Sequence, residues 1–298
     1  MKKLYTSYLL FMLTCGVSFA QLPHDVIYMP KQTACVALAY NNNSWNQYWE
    51  NTLKRDNLNL GTVTTQSIMP MVAYGITDKL NAIVSLPYIS TKTSAGNLLG
   101  QKGVQDLSLW LKYKLVSNAE GVSLHAVVGG SVPMSNYVPD FLPLSIGLHS
   151  KTATARLIGN YAHKSGLYLT AHGSYMGRGK IKIDRDSYLS YDKVYNTNEV
   201  SLPNTIDAAA RLGFLKKAYQ TEVFVEHFAC VGGDNIRRND MPFPTNNMRM
   251  TGIGWYGKFQ PKNIGVSARV NYVLSGQNVG QTLGYSVALL YQINNIKF

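Results

Sequence analysis

The stretch YGITDKLNAIVSLPYIS, residues 74–90, places two runs of alternating apolar and polar residues around the short break Thr77-Asp78-Lys79. Alternation with a period of two is typical of a β-strand with one polar face and one apolar face. A polar break of this length can close an antiparallel hairpin. The stretch therefore predicts a β-hairpin with unusually long arms.

The same pattern continues along the chain. It predicts about twelve strands, at 32–40, 62–76, 80–92, 103–116, 121–132, 148–161, 166–177, 204–216, 219–230, 248–259, 264–275 and 283–293. Short connections alternate with long polar ones at 41–61, 93–102, 133–147, 178–203, 231–247 and 276–282. We therefore predict an all-β fold, a closed antiparallel transmembrane β-barrel of about 12 strands, with short periplasmic turns and long outer loops.

The N-terminal residues have the pattern of a secretory signal peptide. Lys2 and Lys3 precede an apolar run, which ends at the small-x-small site Ser18-Phe19-Ala20. A lipoprotein signal would use Cys15, but the residues before it lack the expected small side chain. We therefore expect a signal peptide at 1–20, Sec-type export, and a barrel domain at 21–298 in the outer membrane of a Gram-negative bacterium.

Composition indicates which partners to expect. The formal net charge is +12 and the chain has 20 Tyr. An exported basic chain favours lipopolysaccharide phosphates over nucleic acid, and tyrosines suit the aromatic belts of a membrane barrel. Phe298 ends the chain, as in many barrels that the insertion machinery recognises. The expected partners are outer-membrane lipid and lipopolysaccharide, that machinery and a small-molecule solute.

Charged residues inside the predicted strands mark the lumen. A basic side chain on the lipid face at mid-depth costs about 2–4 kcal/mol, so the parity that carries charges should face inward. The candidate solute path is lined by Asp106, Trp110, Lys112, His125, Arg156, Asn160, His172, Asp207, Arg211, Glu222, Glu226, Arg269 and Asn271. The alternative is that these residues are ion pairs that fill a narrow barrel without conducting anything.

Two local features give further expectations. The turn at Lys217-Ala218 places Arg211 diagonal to Glu222 and Glu226, which predicts an inward ion-paired patch. Arg178, Lys180 and Lys182 alternate with apolar residues, which predicts that the seventh strand continues outward with a basic face.

Residues 46–55 could form a helix on the rim or only a loop. Only residues 21–31 precede the first strand, which leaves no room for a separate plug domain.

Catalytic patterns are not found in the sequence. His149 and Ser150 are adjacent, so a strand would direct them to opposite faces. There is no Gly-x-Ser-x-Gly, no His-Glu-x-x-His, no phosphate-binding loop and no spaced Cys/His zinc pattern. We therefore expect no enzyme activity, catalytic residue, cofactor or metal.

Residues 74–88 and 103–113 resemble a family of bacterial outer-membrane transporters named after the meta-pathway of phenol degradation. The resemblance rests on Tyr74-Gly75-Ile76-Thr77-Asp78, on Leu86-Pro87-Tyr88 and on Gly103-Val104-Gln105-Asp106, where Gln105 replaces the usual Gly. It implies a monomeric barrel that passes small hydrophobic or aromatic compounds.

The sequence thus predicts an outer-membrane channel for passive passage of small solutes, including aromatic or hydrophobic ones. The alternative is a non-conducting structural barrel whose outer loops bind a surface ligand. A solvent-accessible lumen favours the channel, and a lumen closed by side chains at every level favours the alternative.

Overall fold

The structure, a computed structural model, describes residues 22–238 and 240–296. The predicted signal peptide and Phe298 lie outside the described residues. Within them, no helix is long and apolar enough to cross a bilayer.

Twelve antiparallel positions form the barrel wall, and two of them are each shared by two short strands. They are β1 (Ala34–Trp45), β4 (Val63–Gly75), β5 (Leu80–Ser85) with β6 (Tyr88–Thr93), β7 (Lys102–Val104) with β8 (Asp106–Ser117), β9 (Val122–Pro133), β10 (Thr152–Ala162), β11 (Leu167–Arg178), β16 (Asn204–Lys216), β17 (Tyr219–Val231), β18 (Arg249–Phe259), β19 (Ile264–Gln277) and β20 (Leu283–Ile293). The outer loops add β2 (Gln47–Glu50), β3 (Leu53–Asp56), β12 (Ile181–Lys182), β13 (Tyr188–Ser190), β14 (Lys193–Tyr195) and β15 (Glu199–Val200).

The first strand closes the barrel. β1 pairs with β20 on one side, with Cys35 opposite Gln292, and with β4 on the other, with Cys35 opposite Ala73. Every neighbouring pair in the wall is antiparallel, so the predicted closed antiparallel barrel of 12 strands is confirmed. Closure pairs the wall strands on both sides except the three-residue β7, which pairs with β6 alone.

Two wall positions are interrupted at the same level. Pro87 separates β5 from β6, since proline has no N–H to donate to the ladder, and Gln105 separates β7 from β8. Leu86 N donates to Pro70 O at 3.2 Å and Gln105 N to Pro87 O at 2.9 Å, so the wall stays hydrogen-bonded across the break. Each of these two predicted strands is therefore a pair of shorter strands.

The outer loops contain small hairpins. Residues 47–56 form the β2–β3 hairpin, so neither a helix nor an unstructured loop describes them. The seventh wall strand ends at Arg178, and Ile181 and Lys182 pair with β15 instead. The predicted outward continuation is therefore interrupted at residues 179 and 180. Lys180 and Lys182 are exposed as predicted, and Ile181 between them is buried in a loop cluster with Val200.

The outer face of the barrel is apolar. In β8, Leu109 and Leu111 are 50% and 39% exposed, whereas Lys112, which follows Leu111, is fully buried. Exposed aromatic side chains form two belts. Those near the short turns are Tyr113, Tyr161, Tyr219, Phe259 and Tyr291, and those toward the long loops are Tyr40, Tyr88, Tyr175, Tyr272 and Tyr285. Aromatic belts around an apolar band are typical of barrels in a membrane.

Candidate solute site in the lumen

Residues 22–32, called the N-terminal segment below, lie inside the barrel. Gln32 N donates to Gly75 O at 2.9 Å and Lys31 N to Asp78 Oδ1 at 3.1 Å, so the segment enters at the end with the short turns. Met29 is fully buried and its carbonyl accepts from Asn81 Nδ2 at 3.2 Å. The segment is too short for a separate domain, yet it occupies the inner half of the lumen, which sequence reasoning did not foresee.

Three cations from three wall strands hold the tip of this segment. They donate charge-assisted hydrogen bonds to consecutive main-chain carbonyls and to one carboxylate of the segment. The contacts are Lys112 Nζ to Leu22 O at 3.2 Å, to Asp25 O at 3.0 Å and to Asp25 Oδ1 at 2.7 Å, Arg156 Nη1 to Pro23 O at 3.3 Å, and Arg211 Nη1 to His24 O at 3.1 Å. Each cation occupies a position of its strand whose side chain faces the lumen.

Three arginines of the lumen each pair with one carboxylate. The pairs are Arg156 Nη2 with Asp207 Oδ1 at 3.0 Å, Arg211 Nε with Glu222 Oε1 at 3.5 Å, and Arg269 Nη2 with Glu226 Oε2 at 2.6 Å. The predicted contact of Arg211 with Glu222 is present, whereas Glu226 forms its ion pair with Arg269 rather than with Arg211.

Glycines in β18 explain why Glu226 pairs with Arg269 and not with Arg211. Gly252 and Gly254 stand between β17 and β19, and a Cβ at Gly254 would overlap the Phe224 ring. The missing side chains let Arg269 reach across β18, where its guanidinium lies 3.9 Å from the centre of the Phe224 ring and meets Glu226. A cation over an aromatic face is an additional favourable contact.

Several other predicted residues belong to the same network. His172 Nε2 lies 3.0 Å from Asp207 Oδ2, and His172 Nδ1 lies 3.0 Å from Arg211 Nη1. Tyr28 Oη of the N-terminal segment lies 3.0 Å from His125 Nδ1, and the centre of the Trp110 ring lies 5.7 Å from the Arg156 guanidinium carbon.

The remaining three candidates lie apart from this network. Asn160 Oδ1 accepts from Thr170 Oγ1 at 2.8 Å. Asp106 accepts from Tyr137 Oη at 2.5 Å near the outer rim, and burial together with this hydrogen bond raises the pKa of Tyr137 above its usual range. Asn271 lies farther out, beside Gly284 and opposite Gly254 on β18.

The opposite side of the lumen is apolar. A cavity of about 160 Å³, called the slot, lies between the N-terminal segment and the inner faces of β20, β1 and β4, with Tyr256, Ser267 and Arg269 from β18 and β19 completing its lining. Its apolar lining is Leu22, Cys35, Ala37, Ala39, Met69, Met71, Ala73, Ala288 and Leu290. Sequence reasoning missed these residues because it searched for charges. The signal was available, since β1, β4 and β20 contain no charged residue at all.

A second cavity, called the outer chamber, lies above the segment tip and has a volume of about 220 Å³. Its charged lining consists of Arg156, Arg211 and Arg269 with Asp207 and Glu226. His24 and Arg269 line both the chamber and the slot, so the two cavities meet at these side chains. The lumen thus contains open space at mid-depth, and the N-terminal segment occupies its half toward the short turns.

A closed twelve-stranded wall with an apolar outer face, two aromatic belts and a polar interior defines an outer-membrane β-barrel. No known family model matches the sequence, and no curated protein matches it. Among solved structures, an outer-membrane channel from Pseudomonas putida F1 superposes with a TM-score of 0.73 at 14% identity, over 92% of this chain and 100% of that chain.

Two more solved barrels are less similar. The NanC porin has a TM-score of 0.49 at 6% identity, covering 86% of this chain and 100% of its own. The translocator domain of the autotransporter NalP from Neisseria meningitidis has a TM-score of 0.49 at 9% identity, covering 88% of this chain and 89% of its own. The likeness to the Pseudomonas putida channel, at 14% identity, shows the fold.

Proposed function

We propose that this protein is a passive channel in the outer membrane of a Gram-negative bacterium, and that it passes small aromatic or hydrophobic solutes. The observation that carries the proposal is the slot, an apolar space inside a lumen that is otherwise crossed by ion pairs. A barrel needs no such space for its own stability, because voids forfeit packing contacts.

The size of the slot suits a single ring. An engineered apolar cavity of about 150 Å³ in another protein stays dry and binds benzene. The slot has about 160 Å³ and is lined by alanines and by Met69 and Met71, whose flexible side chains adapt to different shapes. A small aromatic molecule would therefore exchange water for apolar contacts there.

Passage through the barrel requires the N-terminal segment to move. Ile27 and Met29 of the segment pack with Cys35, Met71 and Leu290 in one buried cluster, which closes the slot toward the short turns. Apart from the peptide bonds that join it to β1 through Thr33, the segment is held within the described residues by noncovalent contacts. Its displacement toward the periplasm would join the slot to the periplasmic opening.

The alternative, a structural barrel that binds a ligand with its outer loops, predicts side chains at every level of the lumen. The outer chamber and the slot are instead spaces of about 220 and 160 Å³ at mid-depth, and both are lined by His24 and Arg269. This observation favours the channel.

The test is passage itself. Purified full-length protein is placed in vesicles whose outer leaflet contains lipopolysaccharide, and the entry of phenol and the conductance of planar bilayers are measured. We expect faster entry than into empty vesicles, and a further increase in entry and conductance after deletion of residues 22–30. If neither the full-length protein nor the deletion variant speeds entry or conducts, the surface-binding alternative replaces the channel.

A further inference from the structure

Arg269 and His24 occupy the boundary between two chemically different spaces. On one side is the outer chamber, whose lining is charged, and on the other is the slot, whose lining is alanine, methionine, leucine and cysteine. Ser267, Ser286 and Asn41 also line the slot and add polar groups to it. A molecule that extends from one space into the other must pass the Arg269 guanidinium.

The Arg269 guanidinium is fixed in position and retains donors for a ligand. Glu226 engages Nη2 at 2.6 Å, and the Phe224 ring supports the guanidinium plane at 3.9 Å. A guanidinium has five N–H donors in one plane, so one carboxylate does not saturate it. The side chain is 23% exposed, and this surface belongs to the cavities that it lines.

The charge of the outer chamber favours an anion. Three arginines and two carboxylates line it, so its surface presents one more cation than anion; Glu222, which pairs with Arg211, lies outside this lining. A cleft lined by an excess of one sign raises the local concentration of the opposite ion. Its planar fork makes an arginine well suited to bidentate binding of a carboxylate.

We propose that the chamber and the slot together bind a small amphipathic monocarboxylate, with its carboxylate on Arg269 and a single apolar ring or a branched chain of similar size in the slot. This inference rests on the proposed channel function and specifies its solute. A neutral ring uses only the slot, and a bare carboxylate uses only the arginine. A molecule with both parts uses both.

Binding to the purified full-length barrel in detergent tests the proposal, with benzoate, its neutral isostere benzamide, and acetate as probes. We expect benzoate to bind about tenfold to a hundredfold more tightly than benzamide or acetate, as a charge-assisted hydrogen bond would give. Arg269→Gln should remove the preference for benzoate over benzamide. Arg269→Lys keeps the positive charge that pairs with Glu226 and should retain part of the preference for benzoate.

Two further variants separate the carboxylate from the ring. Ala288→Leu fills the slot and should weaken benzoate and benzamide alike, whereas the exposed loop change Lys193→Gln removes a positive charge elsewhere and should leave both affinities unchanged. Migration as a folded barrel on unheated gels shows which variants have folded.

Equal affinity for benzoate and benzamide in the unaltered protein would overturn the proposal, as would an unchanged preference in a folded Arg269→Gln barrel. Either result leaves the channel function standing, because phenol entry and conductance are measured separately. Loss of entry and conductance would instead remove the channel function itself.

Discussion

The two sides of the lumen differ in what their strands present. On β8, β10, β16 and β17, the inward residues include Lys112, Arg156, Arg211 and Glu222, and each contacts an oppositely charged group. On β20, β1 and β4, the residues that line the slot are small or flexible and apolar, apart from Asn41 and Ser286. The charged side holds the N-terminal segment in place, and the apolar side leaves space beside it.

The two sides should therefore respond differently to substitution. Buried charges that lose a partner remain uncompensated, and this is costly in a poorly solvated interior. Apolar side chains next to a cavity can grow into it with little effect. The same barrel wall thus combines positions of high and low tolerance.

Lys112→Met should have the largest effect. The fully buried Lys112 holds Asp25 and two main-chain carbonyls of the segment, so its loss should lower the free energy of unfolding by about 3–5 kcal/mol and increase conductance. Urea unfolding of the refolded barrel and planar-bilayer recordings measure the two effects. The exposed Lys216→Met serves as control, and equal behaviour of the two variants would disprove the holding role of the charged side.

Gly254→Ala tests how the charged network extends across β18. A Cβ there would overlap the Phe224 ring and displace Arg269 from Glu226, so we expect a loss of about 1–3 kcal/mol of stability. In the control Gly159→Ala, no atom lies within 4 Å of the added Cβ, so stability should barely change. Matching urea midpoints for both variants would show that β18 does not need its glycine.

The modification rates of the two buried cysteines measure access to the two sides of the lumen separately. Cys35 lines the slot beneath the segment, whereas Cys230 lies on β17 near the outer loops. Deletion of residues 22–30 should raise the rate at which a small thiol reagent modifies Cys35 by about tenfold, because opening of the segment no longer limits access. The rate at Cys230 should stay the same. Mass spectrometry after timed quenching measures both rates, and a parallel rise at both would indicate general loosening.

Ala39→Leu should have the smallest effect on stability. The added atoms enter the slot, so we expect the free energy of unfolding to change by less than about 1 kcal/mol, while phenol entry falls. Ala210→Leu changes an exposed position on the outer face and should leave entry unaffected. A large destabilisation by Ala39→Leu would mean that the slot is as tightly packed as the charged side.

Local pattern alone determined the strands and their faces. The alternation in β8 assigned Lys112 to the lumen and Leu109 to the lipid, because neighbouring residues of a strand face opposite sides and a barrel places water and lipid on those sides. The short break after Ile76 likewise predicted the turn between β4 and β5. Such features depend on residues that are close in sequence, so they can be read without the fold.

Tertiary structure decided what fills the lumen. The N-terminal segment has no periodic pattern, and its binding site exists only when closure brings Lys112, Arg156 and Arg211 from three strands around one space. The slot likewise needs β20 beside β1, the last wall strand next to the first. Even the partner of Glu226 depends on two glycines in the intervening strand. These contacts join residues far apart in the chain, and no local pattern encodes which distant side chains will share the interior of a closed barrel.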